Sequence, residues 1–145
     1  MNYQFLISEL KDYNNDISVY LSYIASHQHA IAYSTIFWPQ FECYCDSILL
    51  EPFSTEKYKD FLVANNGDKS CVEKIINHRH IKEIWGNPDL SATVEQLTHL
   101  GNLLKEMWQC KLKENFPNRK MIVHFYKGGT HADLLDFQIT FWSER

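Results

Sequence analysis

Two His-x-His pairs, His27-Gln28-His29 and His78-Arg79-His80, are the places where this sequence could bring ring nitrogens together for a metal ion. The spacing decides whether they can. On a strand, residues i and i+2 share a face; on a helix they point about 200° apart and cannot share an ion. Both pairs fall where helix is expected, and neither is followed by a third ligand at a familiar zinc spacing. A site built on His78, His80 and His124 is the enzyme or metal alternative to a pure binding role. His27 sits between Ile24 and Ile31, which suits a hydrogen-bonded core residue; His78 lies near a helix end, where a positive charge suits the dipole. Cys43-Tyr44-Cys45 is one residue short of a Cys-x-x-Cys motif, so it reads as two inward-facing thiols of a strand. Lys127-Gly128-Gly129-Thr130 has phosphate-loop letters without the loop's length or following helix, and reads as a hairpin connection. Nucleophile elbows and dinucleotide fingerprints are absent. No catalytic residue, cofactor or metal is therefore expected.

The elements that carry these residues follow from periodicity. A first helix is expected over residues 3–13. A second runs from the N-cap Asp16 to Phe37, with Ile17, Tyr20, Leu21, Ile24 and Ile31 at helical spacing and Pro39 as its stop. Phe41 to Leu50 alternates and then turns apolar, which predicts one strand. Ser54-Thr55-Glu56 opens a short helix that ends at Asn65-Asn66-Gly67. Asp68 caps another through Val72 and Ile76 toward Trp85, stopped by Gly86-Asn87-Pro88. The clearest helix begins at Ser91 or Thr93 and carries Val94, Leu97, Gly101, Leu104, Trp108 and Leu112 as one stripe. Met121–Tyr126 and Leu134–Trp142 read as two strands joined around Gly128-Gly129.

These elements predict a single α+β domain over residues 1–145: about five helices on one face of a small, roughly three-stranded antiparallel sheet. The Phe41–Leu50 strand is expected to pair with the C-terminal strands, since a lone hairpin is marginal.

Hydrophobic residues make up 45% and charged residues 22% of the 145, a globular balance that argues against disorder. The start of the chain lacks a signal-peptide pattern and no apolar run reaches bilayer length, so a cytoplasmic protein with no membrane partner is expected. Its four cysteines then read as reduced thiols. The net charge of −4 is uneven: residues 1–56 hold one base and seven acids, giving −6, while residues 57–127 carry +4. The basic set Lys111, Lys113, Arg119 and Lys120 lacks interleaved aromatics and a basic overall pI, so nucleic acid is not the expected partner.

Four segments, Phe37-Trp38-Pro39-Gln40-Phe41, Asn77-His78-Arg79-His80-Ile81, Phe116-Pro117-Asn118-Arg119 and Ile139-Thr140-Phe141-Trp142, resemble a group of small bacterial proteins over most of the chain. In size, acidity and lack of catalytic residues the chain also resembles the immunity proteins of bacterial toxin systems, including contact-dependent growth inhibition. That resemblance implies a cytoplasmic protein that neutralises one cognate toxin domain, often a nuclease, by covering its active site. A basic nuclease cleft would attract an acidic inhibitor. A small adaptor or regulatory module is the alternative binding role.

The expected partner surface is the open side of the sheet. A period of two puts Glu42, Tyr44 and Asp46 on one face of the early strand, and Asp136, Gln138 and Thr140 on the wet face of the last. Glu42, Asp46 and Asp136 would then surround Tyr44 and Trp142 as acids around aromatic anchors. The thin inward face of Phe41, Cys43 and Cys45 leaves open a flipped or fully buried strand.

Overall fold

A computed structural model describes residues 3–84, 92–128 and 133–145. The chain divides into two compact units, one up to Thr35 and one from Ile36 to Arg145. The expected stop at Gly86-Asn87-Pro88, with Trp85 before it, lies outside the described residues, as does Gly129 in the last loop.

In the first unit the expected helix over 3–13 is instead two short 3-10 turns, Tyr3–Phe5 and Ser8–Tyr13. Asn14 and Asn15 end them with φ of 54° and 56°, a left-handed conformation that asparagine tolerates. Asp16 caps α1 (Ile17–Ile24) by accepting from the amides of Ser18 and Val19. The expected continuous helix breaks at Ala25, which is extended. Ser26 then starts α2 (His27–Phe37): its hydroxyl accepts from the amide of His29. A serine that can cap a new helix competes with continuing the old one. None of the residues of α1 or α2 is buried, so the apolar residues at helical spacing, Ile17, Leu21, Ile24 and Ile31, are exposed, and His27 is exposed rather than in a core.

The second unit opens with a hairpin where one strand is expected. β1 (Phe41–Tyr44) pairs antiparallel with β2 (Ser47–Leu50), Phe41 opposite Leu50 and Tyr44 opposite Ser47. Cys45 and Asp46 form the turn with φ of 48° and 69°. Two consecutive positive-φ residues give the tight turn whose twist matches paired strands, and Asn-Gly is its usual signal. Cys-Asp hid it. The hairpin stays a two-stranded sheet and does not join the C-terminal strands. α3 (Thr55–Ala64) begins at the Ser54 cap, and Gly67, at φ 80°, lies in the turn that follows it. α4 (Lys69–Ile76) begins at the Asp68 cap. It stops well short of Trp85: β3 (Arg79–His80) and α5 (Ile81–Ile84) follow. α6 (Val94–Asn115) starts at Thr93, which forms a reciprocal capping box with Gln96. β4 (Met121–Tyr126) and β5 (Gln138–Ser143) complete a second antiparallel sheet in the order β3-β5-β4. The class is α+β, as the sequence leads one to expect.

α4 joins the two sheets. Glu73 and Asn77, one turn apart, are both fully buried. Asn77 accepts from the Leu50 amide at 2.9 Å and donates to the carbonyls of Ile48 at 2.9 Å and Phe141 at 3.2 Å. Glu73 accepts from the amides of Ile48 and Ser143, from the Ser143 hydroxyl and from Arg145. These side chains bond the facing backbones of β2 and β5, where a further strand would otherwise be needed.

The main core lies between α6 and the inner sheet face. Leu97, Leu104, Trp108 and Leu112 meet Val123, Phe125, Ile139 and Phe141, joined by Phe41, Ile48 and Leu50 of the hairpin. The Trp108 ring donates to the Ile36 carbonyl at 2.9 Å, so its one polar atom is satisfied. A second cluster of Leu49, Tyr58 and Val72 lies on the other side of the hairpin, with Tyr44, Phe53 and Phe61 packed against it. Within the α6 stripe, Gly101 faces the Phe125 ring of β4. A Cβ there would stand 2.2 Å from the Phe125 ring. Gly101→Ala is therefore expected to lower stability by about 1–3 kcal/mol. Chemical denaturation measures it, and shortening the ring with Phe125→Leu should recover part of the loss in a double-mutant cycle.

Candidate functional site

The five residues expected to make one partner surface are dispersed. Glu42 is exposed on β1, but Tyr44 on the same strand packs against Phe53 and Tyr58 at centroid distances of 5.5 and 5.2 Å. Both faces of the hairpin meet core, which leaves Glu42 and Cys43 of β1 exposed without an open sheet face around them. Asp136 is not in a strand. It closes a 3-10 turn, Leu134–Asp136, and accepts from the Asp133 amide at 3.1 Å. Trp142 stands on the outer face of the other sheet. Cys43 and Cys45, expected to point inward, are exposed.

Asp46, at the hairpin tip, is not a free acid. Arg119 donates to its carboxylate and to its carbonyl, Arg145 does the same, and the Lys69 ammonium is 3.6 Å away. The hydrogen bonds from Arg119, then Arg145, hold the Asp46 carboxyl down at about 2, against an ordinary 3.8. Arg145 also reaches the buried Glu73 at 3.0 Å, tying the turn to the buried network. Two more of the basic set are engaged: the Lys111 ammonium donates to the Trp38 carbonyl at 3.2 Å, and Lys120 pairs with Glu144.

The surface with assembled functional character is the outer face of β3-β5-β4. Along β5, Ile139, Phe141 and Ser143 are buried, while Gln138, Thr140 and Trp142 point the other way. The register sets Tyr126 opposite Gln138, His124 opposite Thr140, Ile122 opposite Trp142 and His80 opposite Gln138, all on that outer face. His124 and Tyr126 are exposed. The Trp142 ring lies 6.5 Å from that of His124, and the Lys74 ammonium sits 4.5 Å over its face. Thr140 donates to the Lys74 carbonyl at 2.8 Å, which fixes α4 along this edge.

His78-Arg79-His80, expected to be helical, leaves α4 and enters β3, so its two rings do share a face, in edge contact at 4.6 Å. Each is oriented by one bond. His78 Nε2 meets the Gln138 side-chain oxygen at 2.9 Å. His80 Nδ1 meets the Leu135 carbonyl at 2.6 Å. A carbonyl only accepts, so the His80 proton is on Nδ1 and its Nε2 is the lone-pair nitrogen when the ring is neutral. Arg79 turns inward and donates to the carbonyls of Ile76 and His78, closing the end of α4, and burial lowers its pKa. His124 is on the same sheet face but two strands away from His80, with β5 between them. Among the described residues no group of three or more His, Cys, Asp or Glu is placed to hold a metal ion. None of the described helices is long and apolar enough to cross a membrane.

Sequence reasoning singled out Trp142 but not its neighbours Tyr126 and His124 as surface companions. The signal was present: with Val123 and Phe125 inward, alternation along β4 puts both on the wet side. A separate open pocket of about 460 Å³ lies between α3 and α4, lined by Phe53, Phe61, Ile75 and Ile76 with Lys57 and Asp60. Comparison with family models, curated proteins and solved structures gives no match.

The Asp46 cluster makes a pH prediction. A carboxyl whose folded pKa is depressed contributes stability above its unfolded value, and that contribution is lost as pH falls from 3.8 through about 2. Titration of Asp46 by NMR should give a midpoint near 2. Asp46→Asn should flatten the acid limb of the stability curve in that window. Because the group is half exposed, salt should raise the midpoint toward the ordinary value.

Proposed function

We propose that this chain is a protein-binding module of the immunity type, which neutralises a bacterial toxin domain by docking on it through the outer face of the β3-β5-β4 sheet. One observation carries the reading. That face presents Trp142, His124, Tyr126 and the His78–His80 pair on one side of a paired sheet. Aromatic and histidine side chains held by β-sheet pairing contribute large contact area at low entropic cost, which suits a macromolecular partner. Size, acidity and the lack of a catalytic motif support the immunity class, and a nuclease is the toxin activity that resemblance implies.

Charge takes a smaller part than the acid-rich first 56 residues imply. Asp46 is paired with three cations, and the proposed face carries Lys74 beside its rings. Packing at the aromatic centre therefore governs dissociation, while exposed acids such as Glu42 contribute to steering.

The test is protection of cells. Expression of this chain is expected to rescue a host from the toxin encoded beside its gene. Trp142→Ala combined with Tyr126→Ala should abolish rescue and weaken binding to the purified toxin domain by at least about 100-fold. Circular dichroism should show the variant folded. Rescue that persists in the folded variant would place the partner elsewhere; absence of any rescue by the unaltered chain would refute the immunity role.

A further inference from the structure

Residues 17–41 contain no Asp, Glu, Lys or Arg, and neither Lys nor Arg occurs between Lys11 and Lys57. α1 and α2 both lie in that stretch. Ile36 and Phe37, at the end of α2, pack on the main core, but the earlier apolar residues are largely in the open: Tyr23 is 75% exposed, Ile31 66%, Tyr33 48%, Leu21 47% and Ile24 46%. In α1 the apolar positions cover more than half of the helix circumference, leaving Ser18 and Ser22 as the polar sector. Solvated helices carry charge on their outer side; these carry none.

The hydroxyls agree with that. Ser22 donates to the Val19 carbonyl, Ser34 to Ile31 and Thr35 to Ala32, each at 2.7 Å. Three hydroxyls thus turn back onto their own helices, where they can be covered by apolar contact without losing a water partner. An acid–phenol contact of this unit, Glu9 with the Tyr20 hydroxyl at 2.9 Å, is also internal. An exposed surface of this composition is one that another body covers.

The charge pattern selects the body. A membrane-surface helix takes Lys or Arg on its polar face to meet anionic headgroups, and here the nearest charges on both flanks, Asp16 and Glu42, are acidic. A basic or acidic protein partner would need a complementary charge, which is absent. A two-fold contact brings each surface onto itself, so any charge near the axis would face its own copy; an uncharged patch has no such repulsion. We propose that α1 and α2 form the contact between two copies of this chain. This inference is independent of the toxin-binding face on the sheet.

Sedimentation of the full chain from about 1 to about 500 µM should show a monomer–dimer equilibrium. Raising sodium chloride from about 0.1 to about 1 M should leave the dimer unchanged or tighter, since no ion pair is screened. Tyr23→Glu with Ile31→Glu, both at exposed positions, should weaken dimerisation by at least about 100-fold while far-ultraviolet circular dichroism and melting stay unchanged. A chain that remains monomeric throughout overturns the proposal, as does a dimer indifferent to the two glutamates. Co-sedimentation with phosphatidylcholine or phosphatidylserine vesicles, lost in the double variant, would assign the surface to lipid instead. Protection of α1 and α2 amides from exchange in a pure monomer would mean the chain covers itself.

Discussion

The second unit depends on two buried polar side chains, Glu73 of α4 and Asn77 at its C-cap. Each sheet is small: one group of three strands, and one two-stranded hairpin that would be marginal alone. Glu73 and Asn77 supply the missing connection. Asn77 uses one acceptor and both donors on backbone groups of β2 and β5, and Glu73 takes four donors from three residues. A buried amide or carboxylate costs several kcal/mol if unpaired, and contributes a modest net gain when every bond is made. The asymmetry is the constraint: nearly any change at these positions leaves buried groups of two strands without partners.

What lies around this network follows from it. Because β2 is held from α4, the hairpin is packed on both faces and is lost as a surface. Asp46 at its tip is then next to Arg145, whose guanidinium spans from the turn to Glu73. An acid that looks available in the sequence becomes the exposed end of the buried network. The opposite side of β5 is left uncovered, with Lys74 and Thr140 pinning α4 to its edge and Trp142, His124 and Tyr126 outward.

Legibility in the sequence tracked how local each signal is. The caps Asp16, Ser54, Asp68 and Thr93 were readable because a cap bonds within three residues. The α6 stripe was readable through its 3.6-residue period, including the glycine that admits Phe125. The strand β5 was recognised, although the first residues of the expected 134–142 strand form a 3-10 turn held by Asp133 and Asp136, which moved Asp136 off the sheet. The hairpin turn at Cys45-Asp46 was missed because the pair lacks the glycine that usually marks such a turn, and the Arg119 and Arg145 bonds to Asp46 come from far along the chain. Glu73 gave no signal. It looks like one more solvated acid of an amphipathic helix, and its donors come from positions 48, 143 and 145. A site made by contacts 25 to 72 residues apart is invisible to any local window.

The claim that α4 side chains take the place of a strand is tested most directly by native-state hydrogen exchange at the amides of Ile48, Leu50 and Ser143. These three donate to Glu73 or Asn77 and not to a backbone carbonyl. If the side chains hold the sheets together, all three amides exchange only through global unfolding, with the same free energy as the ladder between β4 and β5. Exchange through a lower-energy local opening, with the β4–β5 ladder still protected, would contradict the account and mean that the hairpin detaches on its own.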